Sequence, residues 1–188
     1  KATTRIDMGK ENNPIYAHNT IEFVTVALEY CTMVENINKF NQFDFIDRSI
    51  KILPLLYLKA TLLPNLERDE NIEPEQAVTE IMYESIRKYI ADLLGNKDSF
   101  LETFHTDMQY SDTPIISFIS ENMADVYQDI GNFIALFRQG NEELMHEAII
   151  ICKNNFQNYW GQQLLNALKA LHAIHSNNEE YVDTKDEF

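Results

Sequence analysis

The stretch "FIDRSIKILPLLYLKATLLP", residues 45–64, limits the possible fold more than any other. Ile46, Ile50, Leu53, Tyr57 and Ala60 recur at helical spacing, and Ile52, Leu56 and Leu63 widen that stripe almost to a full circle. A helix that is apolar nearly all round belongs where other elements cover most of it, so this stretch predicts the buried central helix of a bundle. Pro54 lacks an N–H and crowds the Ile50 carbonyl, which predicts a kink or a break. Pro64 ends the element.

The remaining pattern is also helical. In residues 20–37, Phe23, Ala27, Tyr30, Val34 and Ile37 repeat at steps of four and three. Asn19 is placed to cap that helix, with Glu22 completing a capping box. A charged connector, "NLERDENIEPEQA", leads to a helix over residues 80–94. Thr79 is its cap, Val78 and Tyr83 form its hydrophobic staple, and Gly95 lies at its left-handed end. "DSFLETFH" predicts a short helix capped by Asp98, and "YSDTP" a turn. A helix over residues 120–139 closes at Gly140, and Asn141 caps the next. In residues 142–175 the apolar stripe moves from Leu144, Ala148 and Ile151 to Trp160, Leu164, Ala167 and Leu171. That shift implies a kink, or two helices with a tight junction, near "NYWG". The sum is an all-α, single-domain bundle of six or seven helices. It spans residues 19–175, with a polar extension over 1–18 and an acidic tail over 176–188.

Composition supports this class. Among 188 residues there are 11 Phe and 9 Tyr but only 5 Gly and 5 Pro, too few turn formers for an all-β sandwich or barrel. The net charge of -15 repels polyanions, so neither nucleic acid nor anionic membrane is expected as a partner, whereas a basic protein surface is. Cys31 and Cys152 sit among apolar residues and read as buried free thiols. With no apolar signal core and no span of membrane length, a cytoplasmic location is expected.

The candidate chemistry lies mainly in "SENMADVYQDIGNF", residues 120–133, where Glu121, Asp125 and Asp129 recur every four residues. At about 100° per residue, Glu121 and Asp125 point roughly 200° and 240° from the stripe of Ile119, Met123, Val126, Ile130, Phe133 and Phe137. Asp129 lies on the flank, about 80° from its centre, on the same rule. Two of the three acids therefore read as a solvated face unless another element covers it. A metal-dependent reading compares the stretch with the second metal-binding helix of the all-α nucleoside triphosphate pyrophosphatases. Their Glu-x-x-Asp does not match the Glu121–Asp125 spacing, and Glu22, Glu29 and Glu35 never make the Glu-x-x-Glu of their first helix. A ferritin-like di-iron order, Glu29, Glu102-x-x-His105, Glu121, Glu143-x-x-His146, is also present. With 18 Glu and 5 His in the chain, one such match is expected by chance. No metal or cofactor is therefore expected; if a metal is held, Glu121, Asp125, Asp129 and Glu29 are its ligands. No catalytic set is complete: there is no phosphate-binding glycine loop and no nucleophile elbow. The binding candidates are Tyr159 and Trp160 beside Gly161, and Asp129 with Tyr127 on the adjoining edge.

"NTIEFVTVALEYC", "ILPLLYLKATLLP", "MQYSDTPI", "ENMADVYQDIGNFI" and "NFQNYWGQQLLNALKALH" together resemble an uncharacterised bacterial family, domain of unknown function 5063. The resemblance runs in chain order over residues 19–175. It implies a small helical protein and brings no activity or site residue with it. The reading is an acidic helical protein-interaction module without catalytic activity, with a phosphohydrolase and a di-iron protein as the alternatives.

Overall fold

The computed structural model describes residues 13–67, 72, 74–102 and 115–177. The ends of the chain beyond these residues, the "YSDTP" turn and His105 lie outside them. The architecture is mainly helical: α1 (His18–Glu35), α2 (Gln42–Thr61), α3 (Glu80–Leu94), α4 (Ile119–Phe137), α5 (Glu142–Asn155) and α6 (Gly161–Ser176). A π-helical turn, Phe156–Trp160, joins α5 to α6 without leaving helical backbone angles, so the two are one long helix with a widened turn.

The central helix is α4, not α2. It packs against α1, α3, α5 and α6, whereas α2 packs mainly against α1 and α6. Leu55 and Leu58 of α2 remain 48% and 50% exposed. The breadth of the apolar stripe misplaced the centre, because part of the α2 stripe's edge stays exposed while α4 also buries residues outside its own stripe. Ser120, Asn122, Ala124 and Tyr127 all lie inside, widening the stripe seen in sequence. Nor does Pro54 break α2, which runs unbroken from Gln42. Asn41 caps it by accepting the Asp44 N–H at 2.8 Å.

Two other starts differ from expectation. Asn19 is not a cap, because α1 begins at His18. A 3-10 turn, Pro14–Tyr16, feeds into it, buries Ile15 and is tied down by the Thr20 hydroxyl, which donates to the Pro14 carbonyl at 2.7 Å. The polar extension expected to reach residue 18 therefore gives way to packed chain by Asn13. Glu22 accepts from Lys59 of α2 at 2.8 Å rather than closing a capping box.

The expected short helix at "DSFLETFH" is instead β1 (Ser99–Leu101), paired antiparallel with β2 (Ile116–Phe118). Asp98 still caps a helix, but a different one. Its carboxylate accepts the Ser120 N–H and the Ser120 hydroxyl, each at 2.7 Å, at the start of α4. The strand pair makes this possible by bringing two segments some twenty residues apart side by side. Asp98 is buried, so Asp98→Ala leaves two donors of the central helix unmatched. We expect a loss of about 1–3 kcal/mol, read from urea unfolding followed by circular dichroism.

The other caps match the sequence. Thr79 accepts the Met82 N–H, and Asn141 accepts those of Glu143 and Leu144. Cys31 and Cys152 are buried free thiols, and burial pushes Cys31 up to about 12.

Candidate functional site

A groove lies on one flank of α4. α4 supplies Gln128, Asp129, Asn132, Phe133 and Leu136. α5 supplies Ala148, Ile151, Cys152 and Asn155, the π turn adds Tyr159, and residues 74–76 form the rim. The volume is about 330 Å³, within the range of small-ligand sites. Its floor is apolar, its walls carry amides and the Asp129 carboxylate, and its rim carries the exposed Glu75.

Local sequence builds each wall. Gly131 lets the connector lie against α4: a Cβ there would stand 2.7 Å from Val78 Cγ2. Asn132 then pins the connector, its Oδ1 accepting the Ala77 and Val78 N–H groups at 2.8 Å each. On the other side the widened turn pushes Tyr159 outward while Trp160 goes fully into the core. Widened turns of this kind are frequent at functional sites. Here the turn requires glycine at its end, because a Cβ on Gly161 would lie 2.5 Å from the Phe156 carbonyl oxygen.

Asp125 is the knot of this flank. Its two oxygens accept separate tyrosine hydroxyls, Tyr83 from α3 and Tyr159 from the π turn, both at 2.8 Å. Burial first, and then these bonds to a carboxylate, push both phenols well above their ordinary range, so they remain protonated donors. Asp125 is therefore covered rather than solvated. Helical geometry alone turned it away from the stripe, but α3 and the π turn roof that face. Glu121 does face solvent.

Asp129 lines the groove itself. One oxygen accepts the Asn155 amide at 2.5 Å. Burial raises its carboxyl; the Asn155 bond opposes that, and the nearby Asp125 adds to it. Asp129 and Tyr159, both singled out in sequence, are thus brought together. Trp160 and Tyr127 are not. Trp160 donates its indole N–H to the Cys152 carbonyl at 3.0 Å inside the core, and Tyr127 donates to Glu35 at 3.0 Å against α1. Sequence reasoning missed Tyr83 as a partner, and Asn132 and Asn155 as wall residues. Tyr83 was visible only as a staple, and the asparagines carry no spacing signal.

The metal-ligand set does not assemble. Glu29 pairs with Arg48 at 3.1 Å, Glu121 is exposed and the Asp125 oxygens are taken up by phenols. Among the described residues no three His, Cys, Asp or Glu side chains are grouped to hold an ion. In the di-iron order, Glu102 is buried beside Ser117 and Asn166, away from Glu29 and Glu121 on their separate faces. Cys152 also lines the groove, and burial pushes its thiol up, which disfavours the reactive thiolate.

A family model described as "Domain of unknown function (DUF5063)" matches residues 14–177. The chain belongs to this family. Among solved structures it is similar to the crystal structure of protein BF1032 from Bacteroides fragilis. The two share 42% identity with a TM-score of 0.80, over 88% of this chain and 97% of that one. No curated protein matches. The DUF5063 match takes in every groove residue, from Pro74 at the rim to Tyr159 on the π turn. No helix of the described residues is long and apolar enough to cross a membrane.

Proposed function

We propose that this DUF5063 protein is a non-catalytic binding module of the cytoplasm that engages a protein partner with a basic surface through the α4–α5 groove. One observation carries the reading. A carboxylate, Asp129, is held largely out of water in a groove where it accepts one amide N–H, that of Asn155, among the described residues. Desolvating a carboxylate without pairing it is costly, and a cation from a partner would offset that cost. The net charge of -15 would draw such a partner in and favour fast encounter at low salt. It equally disfavours nucleic acid and anionic lipid.

The test is anisotropy of a fluorescent peptide of alternating Arg and Ser, titrated at low and physiological salt. Asp129→Asn should weaken binding by about tenfold, or about 1.4 kcal/mol. Glu143→Gln, an exposed charge change outside the groove, should alter it less than twofold. Equal effects from both would reduce the binding to general attraction and end the proposal.

Protonation gives a second expectation. The cation needs the charged carboxylate, so affinity should fall as pH drops through the raised Asp129 pKa. Stability should run the other way. The folded state penalises the charged form, a penalty present above the folded pKa and relieved as pH falls through it. Asp129→Asn should therefore leave Tm unchanged or raise it, as expected of a residue kept for binding. A clear fall in Tm, measured by circular dichroism at neutral pH, would make the carboxylate structural.

A further inference from the structure

Resting on that reading, we infer that the group taken into the groove is an organic monocation on an apolar stem, an ammonium or a guanidinium, seated between the Asp129 carboxylate and the Tyr159 ring, with Asp125 as the positioning residue that holds the ring in place. Three features point the same way. The groove lining holds the half-buried Asp129 carboxylate and the Tyr159 ring together, and this combination suits an organic cation, which gains from charge on one side and from the ring's negative face on the other. The floor of Phe133, Leu136 and Ile151 suits a hydrocarbon stem and offers a hydrated ion nothing. A divalent ion such as Mg²⁺ or Ca²⁺ needs several oxygens around it. Of the other carboxylates here, Asp125 has both of its oxygens committed to phenols, Glu75 is exposed at the rim, and no three acids among the described residues are grouped to hold an ion.

Asp125 acts through Tyr159 rather than on the ligand. Tyr159 is 47% exposed, and its ring would otherwise be free to swing away from the groove. Its hydroxyl is tied at 2.8 Å to a carboxylate that Tyr83 holds from the opposite side. The tie fixes the ring plane, and donation to an anion makes the ring face more electron-rich. This preorganisation lowers the ordering cost of binding. An arginine or lysine side chain of a basic partner has the required form: a single charge at the end of an apolar stem.

The test uses butylguanidine, a butyl chain ending in one guanidinium, titrated into the full chain by calorimetry and by proton–nitrogen spectra. Butanol and MgCl₂ serve as neutral and divalent controls. Butylguanidine should bind, with shifts confined to residues around Asp129, Asn155 and Tyr159, and neither control should match it. Tyr159→Leu, which removes the ring, should weaken it roughly five- to tenfold. Tyr159→Phe, which keeps the ring and cuts the tie to Asp125, should weaken it about two- to threefold. Unaltered butylguanidine affinity in Tyr159→Leu, or equally tight butanol, overturns the inference. If the Arg–Ser peptide remains sensitive to Asp129→Asn while butylguanidine ignores Tyr159, this seating fails and the proposed function stands. If the peptide ignores Asp129→Asn as well, both fall. Butylguanidine binding without peptide binding would support the seating but assign the groove to a small free cation.

Discussion

Trp160→Ala is expected to be the most damaging single change in the chain, costing about 3–5 kcal/mol. Trp160 is fully buried and is the largest such side chain in the protein. Its ring lies 4.7 Å from that of Phe156, which in turn meets Tyr57 of α2 at 5.1 Å. Truncation therefore opens a cavity at the point where α2 meets the long α5–α6 helix. It also removes the indole donor from the Cys152 carbonyl. Domains of ordinary stability have only about 5–15 kcal/mol in total, so most of the margin would go. Urea unfolding followed by far-ultraviolet circular dichroism measures it. Trp160→Phe keeps part of the packing while losing the hydrogen bond and some ring volume, so it should cost less, about 1–3 kcal/mol. Equal, small losses for both variants would show that the site collapses around the gap.

Gly161→Ala should destabilise by about 1–3 kcal/mol, against the usual sign. In an ordinary helix interior this substitution gains about 1 kcal/mol. Here the new Cβ would meet the Phe156 carbonyl at 2.5 Å and the Phe156 ring at 2.9 Å. A ring can swing aside, but this carbonyl accepts the Gly161 N–H across the widened turn and cannot move without dissolving it. The turn also carries Tyr159, so the Arg–Ser peptide should bind more weakly at temperatures where the variant is still folded. A thermal melt that rises on substitution would mean that the turn relaxes to an ordinary α-helix at little cost.

Helix content was readable because it depends on spacing that lies within each segment. Thr79 and Asn141 cap as their positions suggest, and the doubtful place at "NYWG" marks a real irregularity. The strand at Ser99–Leu101 was not readable. Three residues carry no usable period, and their pairing depends on a second segment beyond a long connection. Asp98 shows the same limit: a capping residue was recognisable, but the helix it caps begins twenty-one residues later in the chain.

The candidate site divides along the same line. Sequence alone determined a helical protein of strong negative charge, with Asp129 on a flank next to an irregular, aromatic turn. These follow from residue type and from the fixed angle per residue of a helix. Only the tertiary structure decided that α4 rather than α2 is central, because which elements pack around a helix is not written in its own apolar stripe. Only it decided that Asp125 is clasped by Tyr83 and Tyr159 instead of facing water, and that Trp160 turns into the core while its neighbour Tyr159 walls the groove. A helix reports the direction in which each side chain leaves its axis. What stands in that direction is set by elements distant in the chain.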